Sequence, residues 1–432
     1  MKSLWKQDTP LDPTFAPINS SLCADWFLLP YEIRLQRAHT KTLEAAGILT
    51  ATERGEVKYA LEQIEIRFGQ APCPSSAAED LHTWMEGAIV ELIGKTGTKI
   101  HAARSRNDQV ATLLLLYLAA EGERLGKEIS SLVAVCCRRA LEWSDAVFPL
   151  QTHAQFAVPG TVGFWVLRYA VSLDRIRQHA AYFTDRWRRF CPLGSGAAAG
   201  SSIPIDRCVQ ASELGFEQPS LNALASTSTR DECLEYLFLA AQTSLHLQSF
   251  AADVISFSQT PFGWTNYPRA FGTGSSMMPN KTNPDAMELL RGESCAILAA
   301  LPQAMMLLKG LPSGYNRDLQ CIKPIVHKTA DGMLSLLRMT TAFLEQLQFD
   351  RDRLKTSLAL GNLDATLRME RLVTQGVPLR KAHATVAAEL RTASSNTPSD
   401  DLDCSAYQTI GGANPKETQR VAEAILASLE RT

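Results

Sequence analysis

The chain has 432 residues, of which 45% are apolar, and this is enough for a large buried core. Its 43 basic and 45 acidic residues give a formal net charge of -2, so charge does not favour nucleic acid or an anionic membrane as a partner. The opening segment MKSLWKQDTPLDP lacks the apolar run of a signal peptide, and Leu113 to Ala120 is too short to span a bilayer, so we expect a soluble, cytoplasmic protein.

Proline positions predict the helices, because a proline inside a helix removes a hydrogen bond and clashes with the preceding turn. Proline is absent from 75–148, 160–191, 220–260 and 325–377, and these stretches are rich in Ala, Leu, Glu, Arg and Gln. None of these stretches shows the alternation of β-branched residues that would predict a strand instead of a helix. The predicted fold class is therefore all-α.

The longest predicted helix runs from Asp108 to Asp145, where apolar residues recur at three- and four-residue steps. Further helices should start at Pro159, near Asp231 and at Pro284, since proline suits the first turn of a helix. Side by side, these helices would form a bundle whose apolar surface exceeds what it can bury internally. We therefore expect the chain to associate with copies of itself.

Three domains are expected along the chain. An N-terminal helical domain would cover residues 1–104, a central long-helix bundle 105–348 and a C-terminal helical domain 349–432. The stretch SSNTPSDD at 394–401 indicates a surface loop in the last of these, because it is rich in proline, serine and aspartate.

The first candidate site is the segment GTGSSMMPNKTNPDAMELL, over 272–290, which predicts a mobile loop that runs into a helix. It combines a hydroxyl at Ser275, a cation at Lys281, an amide at Asn283 and a carboxylate at Glu288, and such a loop can close over a substrate. The alternative is a surface loop with a solvated lysine, although two methionines are poor choices for a loop that covers nothing. The residue types alone leave both open.

Polar side chains also crowd the segment KIHAARSRNDQVAT, over 99–112, just before the longest helix. The planar guanidinium groups of Arg104 and Arg106 suit a carboxylate, and a helix N-terminus adds positive potential at the same place. The alternative is capping of the helix by Asn107 or Asp108, with solvated arginines.

Three further segments carry weaker signals. QTHAQFAVPGTVG, over 151–163, places Thr152 and His153 in a turn before a helix, where a lone histidine is more often structural than catalytic. PLGSGAAAG, over 192–200, indicates a tight turn between helices that also forms a wall of the site. KGLPSGYNRDLQCIKP, over 309–324, is either a hydrated helix junction or a binding loop with these polar groups: Tyr315, Asn316, Arg317, Asp318, Gln320 and Lys323.

No segment matches a phosphate-binding loop, a dinucleotide-binding turn or a zinc-binding helix. The ten cysteines are scattered, with Cys136 and Cys137 adjacent, and none belongs to a C-x-x-C pair or a Cys/His cluster with metal-ligand spacing. We expect reduced, buried thiols, no metal and no organic cofactor.

The loop GSSMMPNKTNP resembles the GSSxMPxKxNP signature of the fumarase, aspartase and argininosuccinate lyase superfamily. EDLHTWMEGAIVELIG, KIHAARSRNDQVAT, PLGSGAAAGSSIPIDR and LKGLPSGYNRDLQCIK are similar to the argininosuccinate lyase branch, and the similarity runs from about residue 38 to near the C-terminus. The resemblance implies an all-α homotetramer with a twenty-helix core of long central helices. It also implies active sites built from three subunits.

The same resemblance implies a β-elimination that cleaves argininosuccinate to arginine and fumarate, as in arginine biosynthesis. Ser275 would remove the Cβ proton, and Lys281 would stabilise the aci-carboxylate that forms. His153, paired with Glu288, would with Thr152 assist protonation of the departing nitrogen. By resemblance, the residues that bind or line the substrate site are Asp80, Ser105, Arg106, Asn107, Asn283, Tyr315, Gln320 and Lys323.

The chain departs from the branch pattern in three places. Gln36, in YEIRLQRAH, stands where the branch has a serine on the amino-acid end of the substrate, and Ala225, in NALASTSTRD, stands where it commonly has an aspartate. The loop has MPNKTNP in place of MPQKKNP. These changes leave the proton-transfer residues intact but bear on which amine is released, so one alternative is a lyase that acts on another N-substituted aspartate. A second alternative is a non-catalytic, crystallin-like homologue, and the retained Ser275, His153, Lys281 and Glu288 argue against it. Fumarate hydration is disfavoured by the SRNDQ segment.

Overall fold

The computed structural model describes residues 11–392 and 402–431. The described chain is mainly helical, which confirms the predicted fold class. The surface loop predicted at 394–401 lies outside the described residues. No helix in the described part of the chain is long and apolar enough to cross a membrane.

Sixteen α-helices occur in the described residues. They are α1 Ala16–Asn19, α2 Leu22–Asp25, α3 Leu29–Ala45, α4 Ala51–Phe68, α5 Leu81–Ile93, α6 Arg106–Glu142, α7 Val162–Trp187, α8 Arg207–Leu214, α9 Ala223–Ser228, α10 Asp231–Ser258, α11 Asp285–Leu308, α12 Ile322–Gln346, α13 Arg351–Leu358, α14 Ala365–Thr374, α15 Leu379–Thr392 and α16 Pro415–Leu429.

Within residues 11–392 and 402–431, six short strands form three two-stranded sheets. Two sheets are antiparallel, β1 Val147–Thr152 with β2 Gln155–Thr161 and β5 Thr265–Asn266 with β6 Gln348–Phe349, and one is parallel, β3 Phe190–Cys191 with β4 Gln218–Pro219.

The chain divides into two compact units. Unit 1 comprises the described parts of Met1–Arg124, Ala180–Ala240 and Leu298–Asp331, and unit 2 the described parts of Leu125–His179, Ala241–Ile297 and Gly332–Thr432. The three-domain division expected from the sequence stays a prediction.

The longest helix forms where the apolar periodicity predicts it. α6 covers Arg106–Glu142, which is 37 residues and roughly 55 Å at the standard rise. Its repeating apolar positions, such as Leu118 and Leu125, are fully buried. α10 starts at Asp231 as predicted, and α11 starts one residue after Pro284.

A β-hairpin replaces the helix start predicted at Pro159. Pro159 lies within β2, and α7 begins only at Val162. The prediction was wrong because proline also fits a strand that pairs on one side only. The hairpin rests on the aromatic core of unit 2, where the Phe148 and Phe156 rings each lie 5.8 Å from the fully buried ring of Trp264.

The prediction of reduced, buried thiols is wrong for five of the ten cysteines. Cys23 and Cys73 form a disulfide that joins α2 to the segment between α4 and α5. Three free thiols, at Cys208, Cys295 and Cys321, are exposed, and the other five are buried. Spacing along the chain did not reveal the pair because its partners are 50 residues apart and belong to no motif.

Candidate active site

An ion pair in unit 1 joins the start of α5 to the start of α6. Asp80 caps α5 by accepting the Thr83 main-chain N–H at 2.8 Å, and its other oxygen lies 3.1 Å from Arg106. Burial acts to raise the pKa of Asp80, but the nearby His82 and Arg106 charges and the hydrogen bonds from Thr83 more than offset it, so this pKa lies below its usual value. Asp80 is therefore an anion that holds Arg106 in place.

A second ion pair in unit 1 connects α2 to α12. Lys323 pairs with Asp25, and both side chains are at least 95% buried. Ser21 donates a hydrogen bond to the same carboxylate at 2.7 Å. Burial raises the pKa of Tyr315 against the opposing charges of Arg230 and Arg317. The segment that carries Tyr315 reaches the start of α5, because Arg317 donates a hydrogen bond to the carboxylate of Glu79, next to Asp80, at 2.7 Å. The structure thus gathers Asp80, Arg106, Tyr315 and Lys323 into one polar region.

A buried network lies behind this region. The fully buried carboxylate of Glu32 accepts hydrogen bonds from Gln36 at 2.7 Å and Gln109 at 2.6 Å and contacts Nδ1 of His82 at 3.0 Å. The side-chain amide oxygen of Gln36 accepts a hydrogen bond from Arg104 at 3.1 Å. Burial acts to raise the pKa of Glu32, yet His82 and Arg104 lower it overall. Gln36, a departure from the branch pattern, is therefore committed to neighbouring side chains.

The start of α6 carries the other binding residues suggested by the sequence. The Ser105 hydroxyl accepts the main-chain N–H of Asn107 at 3.3 Å, and Asp108 accepts that of Ser105 at 3.0 Å. The capping that the alternative interpretation expected from Asp108 is thus present, but its solvated arginines are not, since Arg104 is buried and Arg106 pairs with Asp80. Gln320 lies in the 3-10 turn Arg317–Cys321, which leads directly into α12 and Lys323.

A cavity of about 230 Å³ in unit 1 lies beside Arg230, which the sequence analysis did not select. Arg230 is 3% exposed and donates through Nη1 to the carbonyls of Thr227 and Thr229. Its Nε and Nη2 find no hydrogen-bond partner within the described chain. Ala225 lines the same cavity, so the aspartate that the branch commonly has there is missing beside an unpaired cation.

The loop before α11 lies in unit 2 and folds back on itself. A β-bridge joins Gly274 to Thr282, and the Asn283 main-chain N–H donates to Thr273 at 2.9 Å. Within the loop, the Ser275 hydroxyl oxygen accepts the main-chain N–H groups of Met277 at 3.3 Å and Met278 at 3.1 Å. Two fixed donors therefore point at the oxygen on which a serine base would carry negative charge.

Two charged side chains of this segment form no hydrogen bond with Ser275 within the described residues. Lys281 is exposed in the loop, and Glu288 is exposed in the first turn of α11. Within the described chain, neither has an ion-pair partner. Both are therefore available to a bound molecule or to a second chain.

The β1–β2 hairpin presents His153 at its tip. His153 and Ala154 form the two-residue turn with φ values of +54° and +57°, the left-handed pair that a tight hairpin turn requires. Thr152 ends β1, and all three residues are exposed. The turn before a helix expected here is thus a hairpin turn, and within the described chain His153 does not contact Glu288.

The sequence of the chain is similar to those of known lyases. Residues 6–299 match the lyase family. The chain is 37% identical to the argininosuccinate lyase of Acidobacterium capsulatum over 391 residues, covering 88% of this chain and 80% of that protein. It is also 37% identical to the argininosuccinate lyase of Koribacter versatilis, covering 89% and 82%.

The chain belongs to the argininosuccinate lyase family. It is a carbon–nitrogen lyase. Among solved structures, an EDDS lyase in complex with formate superposes with a TM-score of 0.84 at 20% identity, covering 98% of this chain and 91% of that one, and this likeness concerns the fold.

The site residues of this family member fall into two sets. Unit 1 holds seven residues that are predicted to bind or line the substrate site: Asp80, Ser105, Arg106, Asn107, Tyr315, Gln320 and Lys323. Unit 2 holds the residues that are predicted to transfer protons or to stabilise charge, together with Asn283. They are Thr152, His153, Ser275, Lys281, Asn283 and Glu288. The roles themselves stay predictions.

Sequence reasoning missed three groups in these regions: Asp25, Glu32 and Arg230. Asp25 gave one signal, an acidic residue in the otherwise apolar segment SLCADWFLL. Its partner Lys323 is 298 residues away, so no local pattern could have paired them. Glu32 and Arg230 showed no signal beyond being charged residues in helical surroundings.

Proposed function

We propose that the chain cleaves argininosuccinate to arginine and fumarate. The observation that carries this proposal is the similarity to argininosuccinate lyases over nearly nine tenths of the chain. The positions of Ser275 and of the cationic side chains support the chemistry that follows. The expected absence of a metal or organic cofactor and the cytoplasmic location stay predictions.

Ser275 is proposed as the base. As an alkoxide it would take the proton from Cβ of the succinyl group, and the electron pair left behind would pass into the adjacent carboxylate to give an aci-carboxylate dianion. The main-chain N–H groups of Met277 and Met278 donate to the Ser275 oxygen and would stabilise its charge before the proton transfer. Lys281 and Asn283 would stabilise the dianion.

The electrons of the dianion then form the carbon–carbon double bond of fumarate as the Cα–N bond breaks. The departing guanidine nitrogen gains a proton, which we assign to His153 with help from Thr152. Arg106, Tyr315 and Lys323 would hold the carboxylates and polar groups. Asp80 already pairs with Arg106, and Asp25 with Lys323. The charged groups of Arg106 and Lys323 are therefore oriented before the substrate binds.

We further propose a homotetramer in which each active site takes residues from more than one chain. His153 and Glu288 do not meet within the described part of one chain, whereas the proposed mechanism needs them as a pair. Contribution of one of them by another chain would resolve this. The large exposed apolar side chains Leu245 and Met306, on α10 and α11, are consistent with such contacts.

A second substrate class is favoured by one observation. Ala225, which stands where the branch commonly has an aspartate, lines the same cavity as the buried Arg230, whose Nε and Nη2 have no hydrogen-bond partner in the described chain. A lyase that releases a different amine from an N-substituted aspartate would fit this change.

The decisive test incubates purified protein with argininosuccinate and follows the ultraviolet absorbance of released fumarate. We expect turnover. A parallel assay with an N-alkyl aspartate measures the second candidate, and a higher kcat/KM on that substrate would replace argininosuccinate in the proposal. No turnover of either substrate by a folded tetramer would support the crystallin-like alternative.

A further inference from the structure

The carboxylate of Asp108 joins two distant segments of unit 1. It is fully buried, and its Oδ1 accepts the main-chain N–H of Ser105 at the start of α6. Its Oδ2 accepts the N–H groups of Gly194 at 3.0 Å and Gly196 at 2.7 Å, in the glycine-rich turn 192–200. One side chain thus holds that turn against the helix start.

The turn has the backbone conformation that this arrangement needs. Gly194 and Gly196 have φ values of +83° and +61°, a region that favours glycine. A Cβ on Gly196 would lie 2.4 Å from the Gly200 carbonyl oxygen. Main-chain N–H groups that converge in this way form an anion-binding concavity. Here the anion is the side chain of Asp108.

The glycine-rich turn 192–200 also orients Asn107, a residue of the candidate site. The side-chain amide of Asn107 donates through Nδ2 to the carbonyl oxygen of Ala197, at 3.2 Å. A carbonyl can only accept, so Asn107 must direct its NH2 group to the turn. The amide oxygen of Asn107 is left to accept a hydrogen bond from a bound molecule.

We propose that Asp108 is a positioning residue for the reaction proposed above, on which this inference rests. Its carboxylate clamps the turn 192–200 to the start of α6, and so fixes Asn107 as an acceptor for the nitrogen-bearing end of the substrate. Asp108 itself touches no substrate. Its effect on the reaction passes through Ala197 and Asn107.

The charge state of Asp108 gives the clamp a pH dependence. Burial raises the pKa of Asp108 to about 6, against the hydrogen bonds from Ser105, Gly194 and Gly196 and the charge of Arg104. The other ionisable groups that face it are Arg207 and the buried thiol of Cys191. Protonation removes an anionic acceptor from the two glycine N–H groups, so kcat/KM should decline as the pH falls through about 6.

The test compares Asp108→Asn with Asp206→Asn, a matched change of charge. Asp206 caps α8 through Cys208 at 2.8 Å, is exposed and makes no bond to the turn. We expect Asp108→Asn to raise the KM for argininosuccinate at least tenfold with less than threefold effect on kcat, and to abolish the decline near pH 6. Asp206→Asn should keep KM within twofold and retain that decline.

A third variant separates the clamp from the charge. Gly196→Ala keeps Asp108 but strains the turn, so it should raise KM while retaining the decline near pH 6. A folded Asp108→Asn enzyme with wild-type KM and pH profile would overturn the proposal. If Asp108→Asn does not fold, a wild-type KM in Gly196→Ala would overturn it.

The inference also has a readout that does not require turnover. Calorimetry of arginine binding should show a Kd at least tenfold weaker in Asp108→Asn than in Asp206→Asn, and equal Kd values would overturn the proposal. Wild-type protein that binds arginine but does not cleave argininosuccinate would contradict the proposed function. In that case the comparison of Kd values would still test whether Asp108 positions the binding residue Asn107.

Discussion

Ser275 is the residue on which the proposed chemistry depends most. If it removes the Cβ proton, Ser275→Ala should lower kcat by roughly three orders of magnitude or more, about 4 kcal/mol of transition-state stabilisation. The binding set in unit 1 is unchanged, so KM should stay within about tenfold. Steady-state kinetics with argininosuccinate measures both values.

The neighbouring serine is the control for that experiment. Ser276→Ala changes the same loop, but the Ser276 hydroxyl is exposed, and it is Ser275 that accepts the hydrogen bonds of Met277 and Met278. Its effect on kcat should therefore be mild. If Ser275→Ala keeps more than about a tenth of wild-type kcat, a loss of under roughly 1.4 kcal/mol, then Ser275 is not the base and His153 becomes the first candidate.

Lys323 should matter for stability as well as for binding. Lys323→Met would leave Asp25 as a buried charge without its cation, which costs about 3–5 kcal/mol. Urea unfolding should show this loss. Lys328→Met, an exposed lysine on the same helix, should change stability by under about 0.5 kcal/mol. Equal midpoints for the two variants would show that the Asp25 pair is dispensable.

At the scale of elements, the disulfide should stabilise unit 1. It closes a loop of about fifty residues, for which loss of chain entropy in the unfolded state stabilises the fold by roughly 4 kcal/mol. A dithiol reductant should therefore lower the urea midpoint of the wild-type protein.

The double variant Cys23→Ser/Cys73→Ser is the reference for the disulfide. It should have a lower midpoint from the start and should not respond to reductant. Substitution of the exposed thiols Cys208, Cys295 and Cys321 should leave the reductant effect intact. If the reductant still lowers the urea midpoint of the double variant, the Cys23–Cys73 disulfide is not the cause of that effect.

Elements that depend on local pattern were the ones predicted well. α6 appears where apolar periodicity indicates it, and α10 starts at Asp231, within the proline-free stretch 220–260. The hairpin over β1 and β2 was missed because its turn, His153-Ala154, lacks the glycine or asparagine that usually marks a left-handed turn. Contacts across long sequence separations, such as Asp25 with Lys323, depend on the completed fold, and no local pattern encodes them.

At the scale of the whole molecule, we expect light scattering to give four times the chain mass of 47.4 kDa. Leu245→Glu and Met306→Glu should each reduce the mass and the activity together, since both place a charge on an exposed apolar position of a long helix. Ile410 is also exposed but lies outside the helices, so Ile410→Glu should keep both. A fully active monomer would contradict the shared sites.

Because His153 lies in a two-residue turn, its position depends on the lengths of β1 and β2. Side chains alternate between the two faces of a strand, so gain or loss of one residue between the bulge at Leu150/Gln151 and the turn would reverse the face of the residues in between. It would also move the imidazole away from the tip. Substitutions on the exposed face leave that geometry unchanged, whereas insertions and deletions do not. Natural variation in this hairpin should therefore consist of exchanged residues at fixed length.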